Sequence, residues 1–173
     1  VIILTGSGGK AFVAGADITE FTDLGVKNGM DFCRNGHAMN RDLEELGKPS
    51  IAAVNGLALG GGCELALSCT FRILSENAQL GLPELGLGVI PGYGGTQRLP
   101  RAIGKSRALW VMLTGETISA QEALQMGLAN MVVKPEELMD SCIKVAGRII
   151  EKAPLAVKMA MMSVYRGTET DLE

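Results

Sequence analysis

Aromatic side chains are scarce, at 4% of 173 residues, which argues against a surface that stacks nucleic-acid bases. Positive charge is not in excess either. Sixteen Lys and Arg against nineteen Asp and Glu give a net charge of −3, so no basic field is available to neutralise phosphates. No apolar run is long enough to span a bilayer. Histidine occurs once, as His37, and the cysteines Cys33, Cys63, Cys69 and Cys142 form no CxxC pair, so a zinc site has no ligand set. Free thiols in a reducing compartment are the expected state. Neither G-x-x-x-x-G-K-[ST] nor G-x-S-x-G occurs, and a Ser–His triad would depend on His37 alone. His37 reads as a packed or edge residue beside an apolar helix face.

Glycine, in contrast, is abundant and clustered, with 23 residues. The apolar fraction of 47% suffices for a packed core, and the length suits one domain covering 1–173. The chain opens inside an apparent strand, Val1 to Leu4, without Met or a charged leader, and trails off polar after Gly167. A piece of a longer domain, cut at both ends, is expected.

Hydrophobic patterning predicts further strands at Ile51–Val54, Phe71–Leu74 and Met131–Val133, and an extended piece from Gln79 to Glu84. A helix is expected from about Asn28 to Leu46, with Phe32, Gly36, Met39, Leu43 and Leu46 on its inner face. Later helices are expected from Thr96 as N-cap, from Lys105 to Leu113, from Ser119 to Met126 with a Ser119/Glu122 capping box, and from Pro135 and Pro154 onward. Met159, Met161 and Met162 read as core filler. No internal repeat stands out. Strand–helix units followed by helices make the class α/β.

Three features could carry chemistry. Gly60-Gly61-Gly62 lies between a strand and a helix, where unpaired N–H groups can hold an anion or a developing oxyanion. The plainer alternative is a tight turn. Glu64 follows in an apolar segment, and Glu84 sits between Pro83 and Leu85. Each could simply face water. Converging in an apolar pocket, they could not both ionise freely, and would give one acid and one base near neutrality. Gly6 to Ala11 matches G-x-G-x-x-A, but the residues after it do not read as the helix a dinucleotide site requires.

Three segments taken together resemble the enoyl-CoA hydratase/isomerase (crotonase) family: Lys10 to Ile18 (KAFVAGADI), Ile51 to Ala66 (IAAVNGLALGGGCELA) and Pro91 to Leu99 (PGYGGTQRL). Thr114 to Leu128 also fits, and the likeness is strongest to short-chain bacterial hydratases. The resemblance implies a spiral of β-β-α units followed by helices. It implies an acyl-CoA thioester as substrate, no further cofactor and no metal. It places an oxyanion hole at the backbone N–H groups of Ala16 and Gly61. CoA contacts would come from Ala14, Ala16, Asp17, Ile18, Gly61 and Gly92. Glu64 would act as base on water and Glu84 as proton donor to the α carbon, which makes the activity that of a hydro-lyase. The resemblance also implies fatty-acid β-oxidation, a bacterial cytoplasmic setting, and a homotrimer or dimer of trimers, without membrane or nucleic-acid partners. Enoyl-CoA isomerisation, or a noncatalytic acyl-CoA-binding subunit, is the alternative.

Overall fold

The computed structural model describes residues 1–15 and 26–168. The chain begins with β1 (Ile2–Thr5), β2 (Ala11–Val13) and α1 (Val26–Glu45). Two further units repeat this order: β3 (Ser50–Val54), β4 (Leu57–Leu59) and α2 (Gly61–Ser68), then β5 (Phe71–Ser75), β6 (Gln79–Gly81), a 3₁₀ turn at Glu84–Leu87 and α3 (Gly95–Ile103). The remainder is α4 (Lys105–Thr114), β7 (Ile118–Ser119), α5 (Ala120–Gln125), β8 (Met131–Val133), a 3₁₀ turn at Pro135–Glu137, α6 (Leu138–Ile150) and α7 (Pro154–Gly167).

The expected α/β class and β-β-α spiral are present. The first strand of every unit joins one sheet, ordered β1-β3-β5-β8 and parallel throughout, while the second strand joins another, β2-β4-β6-β7. A repeat therefore exists that the sequence pattern does not display, because the units differ in length and their second strands have only three residues. Strand β4 is too short to show an alternation, and its residues read as part of a glycine loop.

All five residues of β3 are buried. Ile51 and Ala53 join a cluster with Ile73, Leu138 and Cys142, and Ala52 and Val54 join the main core with Leu74 and Leu80. Alternate side chains leave a strand on opposite faces, so a strand covered on both sides is apolar throughout. The fingerprint-like Gly6–Ala11 turns straight into β2 rather than a helix. Asn55, between β3 and β4, ties that turn down: its Oδ1 accepts from Gly6 N–H at 3.0 Å and its Nδ2 donates to Gly8 O at 2.7 Å.

Three expectations need correction. The inner face of α1 differs in part: Gly36 is buried as expected, but Met39 and, just past the helix end, Leu46 are exposed, and Asn40 is buried in their place. A ring and a carbonyl of the 92–95 loop occupy that face and need a gap and an amide there, not bulk. Thr96 is not the N-cap of α3; Gly94 is, with φ +104°. The methionines of α7 are not core filler, because that helix has no buried residue and Met159 is 55% exposed. Among the described residues, α7 meets the rest of the chain only along one half-buried edge that includes Val157, Met161, Met162 and Tyr165. By contrast, Ser119 caps α5 with the full capping box to Glu122.

Arg72 of β5 holds the C-terminal end of α2. Its guanidinium donates to Leu128 O at 2.6 Å and Cys69 O at 2.8 Å, with longer contacts to Ala66 O and Leu67 O. A cation there also opposes the negative end of the helix dipole. Arg72→Met leaves at least two of these carbonyls without donors. Urea unfolding of the complete protein should show a loss of about 2–5 kcal/mol, since each orphaned polar group costs roughly 1–3 kcal/mol. A loss under about 0.5 kcal/mol would contradict this role for Arg72.

Candidate active site

The glycine triplet resolves into separate requirements. Gly60 precedes α2 with φ 53° and ψ −125°, a conformation that side-chain-bearing residues rarely adopt. Gly62 packs on β2 so closely that a Cβ would lie 1.9 Å from Val13 O. Gly61 between them opens α2 and lines a cavity of about 1110 Å³. Its N–H belongs to the first turn, where helix donors lack intrahelical acceptors.

Glu64 lies one turn further along α2 and is 1% exposed. It does not face water. Its Oε1 accepts from Tyr93 N–H at 2.8 Å and Gly95 N–H at 2.7 Å. Gly95 is the first residue of α3, so this carboxylate from one helix satisfies the N-terminus of the next. That explains why α3 needs no side-chain cap of its own. Burial raises the Glu64 pKa; the two amides, then His37 and Arg98, oppose the rise. Two N–H dipoles held by the left-handed Gly94 form a small anion nest. Each charge-assisted bond is worth about 1.5–3 kcal/mol, enough to offset much of the cost of burying the charge.

Glu84 begins the 3₁₀ turn that closes with Gly88 in the left-handed region. The turn brings its carboxyl back to Gly60, where a Cβ would lie 3.3 Å from Glu84 Oε1. Its Oε2 is buried without a hydrogen-bond partner among the described residues. Burial first, and the negative Glu64 nearby, push its pKa up to about 7.

Both glutamates line the same cavity, together with Ala14, Gly61 and Gly92. Gly92 lies against α1, where a Cβ would meet Cys33 Sγ at 3.0 Å. Ala16, Asp17 and Ile18 lie outside the described residues. Leu87, Val89 and Ile90, all on the wall or lip of the cavity, are exposed apolar residues. The cavity thus combines an apolar mouth, one buried carboxyl that accepts from two amides, and a second whose pKa burial pushes up to about 7.

Sequence reasoning missed the amides of Tyr93 and Gly95 as ligands of Glu64. They lie within the Pro91–Leu99 motif, whose spacing carries no sign of which carboxylate it will meet. His37 is exposed at the edge of this region, as an edge residue should be.

The family model described as Enoyl-CoA hydratase/isomerase matches residues 1–173. The chain belongs to this family. It is 50% identical to the short-chain-enoyl-CoA hydratase of Clostridium acetobutylicum over 172 residues, covering 99% of this chain and 66% of the relative. It is 49% identical to the crotonyl-CoA hydratase of Syntrophomonas wolfei, covering 100% of this chain and 66% of that protein. Among solved structures, the enoyl-CoA hydratase from Bacillus anthracis superposes with a TM-score of 0.94 at 46% identity, over 98% of this chain and 66% of the other. An enoyl-CoA hydratase from Geobacillus kaustophilus reaches 0.95 at 37% identity, over 99% and 66%. The fold is therefore the crotonase fold. The chain spans 66% of the length of these curated relatives.

Proposed function

We propose that this chain is the core of an enoyl-CoA hydratase that adds water across the 2,3 double bond of a short trans-2-enoyl-CoA. The product is the 3-hydroxyacyl-CoA, and in reverse the enzyme is a 3-hydroxybutyryl-CoA dehydratase. The observation that carries this reading is the pair of glutamates on one cavity with opposite surroundings.

Glu64, whose ionised form the two amides favour, accepts a proton from water as the oxygen bonds to C3. The electron pair of the double bond moves toward the thioester carbonyl, whose oxygen gains charge. The Gly61 N–H, with Ala16 N–H as its companion, stabilises that charge more than the ground state. Glu84 gives its proton to C2 and becomes ionised. Passing the proton from Glu64 to Glu84 through water restores the starting state. The net change is one water added, with no electron transferred, so the CoA thioester is the substrate and no further cofactor is required.

In this reading the CoA portion lies along Ala14, Asp17 and Ile18, and Gly92 helps form the acyl wall. Among the described residues no helix is long and apolar enough to cross a membrane. We place the complete enzyme in the bacterial cytoplasm, in fatty-acid β-oxidation, as a homotrimer or dimer of trimers.

The test uses the complete protein with crotonyl-CoA, following loss of the enoyl-thioester absorbance and formation of the hydroxy product. Hydration in the wild type, lost by about 10²–10⁴-fold in Glu64→Gln, is the expected result. Solvent deuterium incorporation without a hydroxy product would favour an isomerase. Binding of CoA esters without any turnover would favour a noncatalytic subunit.

A further inference from the structure

The backbone that supplies hydrogen bonds to Glu64 is itself gripped by two side chains. Between the amides of Tyr93 and Gly95 lies the Tyr93 carbonyl. It accepts from Asn40 Nδ2 at 3.0 Å and from Arg98 Nη1 at 2.9 Å. A carbonyl oxygen has two lone pairs, and both are matched here. Arg98 directs its other donors to Glu44 in a bidentate fork, Nε to Oε1 at 2.7 Å and Nη2 to Oε2 at 2.6 Å. Asn40 is fully buried, and its Oδ1 accepts from Ser68 Oγ at 3.3 Å. Ser68 ends the helix that carries Glu64. The Tyr93 ring packs against α1 at Gly36, where a Cβ would come within 2.0 Å of Tyr93 Cδ1.

We propose that Asn40 and Arg98 are positioning residues for Glu64, acting through the Tyr93 carbonyl to keep two backbone amides aimed at one carboxylate oxygen. This rests on Glu64 being the base of the proposed reaction. Three of the four residues from 92 to 95 are glycine, which leaves the segment much conformational freedom unless it is held. Fixed dipoles stabilise charge without reorganising during the reaction, so loosening them leaves the carboxylate less ionised and less well aimed even if the fold survives.

Several charged or titratable groups bear on Glu64. His37 from α1 and Arg98 from α3 favour its ionised form; Glu84 from the 3₁₀ turn, and Cys63 beside it on α2, are coupled to its charge. Arg98→Met would therefore remove both a clamp and a cation. Asn40→Leu changes no charge, and Arg98→Lys keeps the charge while losing the fork. These two variants isolate the geometric effect.

The experiment is an isotope-edited infrared titration of the Glu64 carboxylate in the complete protein, identified against Glu64→Gln, together with kcat and KM on crotonyl-CoA. Asn40→Leu should raise the Glu64 midpoint by about one pH unit and lower kcat about ten- to hundredfold, the range for one charge-assisted bond, with KM within about threefold. Arg98→Lys should act in the same direction and carries the test if Asn40→Leu does not fold. An unmoved midpoint and an unmoved pH profile of kcat, with only the melting temperature lowered, would overturn the inference. If the wild type fails to hydrate crotonyl-CoA yet the midpoint still moves, the positioning role stands and the hydratase reading falls.

Discussion

Glu84→Gln in the complete protein is expected to lower kcat for crotonyl-CoA hydration by about 10²–10⁴-fold, the usual contribution of a positioned acid, while acyl-CoA binding is retained. The amide preserves the shape of the carboxyl and cannot release a proton to C2. The wild-type rate should fall as pH rises through about 7, where Glu84 loses the proton that the proposed mechanism has it deliver. Protonation of Glu64 forms the acid limb, and the two midpoints belong to the coupled pair.

The same substitution has a consequence for stability with the opposite sign. Glu84 binds its proton more tightly when folded, with a pKa of about 7 against an ordinary value of 4.5. Stability is therefore lost as pH rises from the ordinary value to the folded one, and stays low above it. Glu84→Gln removes that penalty. Its melting temperature should exceed that of the wild type at about pH 8 and match it at about pH 4. Equal shifts at both pH values, or a kcat within about threefold of wild type, would rule out an acid at position 84.

Gly61→Pro is expected to reduce kcat by about 100- to 1,000-fold, the cost of one oxyanion donor. Residue 61 is the first of α2, where the fixed φ of proline suits the helix and the missing N–H breaks no intrahelical bond. The substitution thus deletes the donor while sparing the element. Circular dichroism should be unchanged and acyl-CoA binding weakened only modestly. Turnover close to wild type would show that the Gly61 amide does not meet the thioester oxygen.

These effects depend on contacts between parts of the chain far apart in sequence. Glu64 and Gly95 are separated by 31 residues, and Asn40 and Tyr93 by 53. Local pattern nevertheless located much of the framework. The segments expected as strands at Ile51–Val54 and Phe71–Leu74 are strands, and the Ser119 capping box closes as its spacing requires. Where local pattern misled, a distant group had taken over a local role. The carboxylate of Glu64 replaced a side-chain cap on α3, and the Tyr93 carbonyl drew Asn40, not Met39, to the buried face of α1.

By itself, then, the order of residues determined the α/β class, the family, and the identity of the two acidic side chains worth testing. Glycines at fixed spacing mark turns because only they tolerate the required φ or the close backbone contact, and that signal is local. Tertiary structure alone decided that Glu64 is held by two amides while Glu84 keeps a buried oxygen without a partner among the described residues. The state of a carboxyl group depends on which dipoles and charges surround it in space, and those are set by packing across the sheets and helices rather than by its neighbours along the chain.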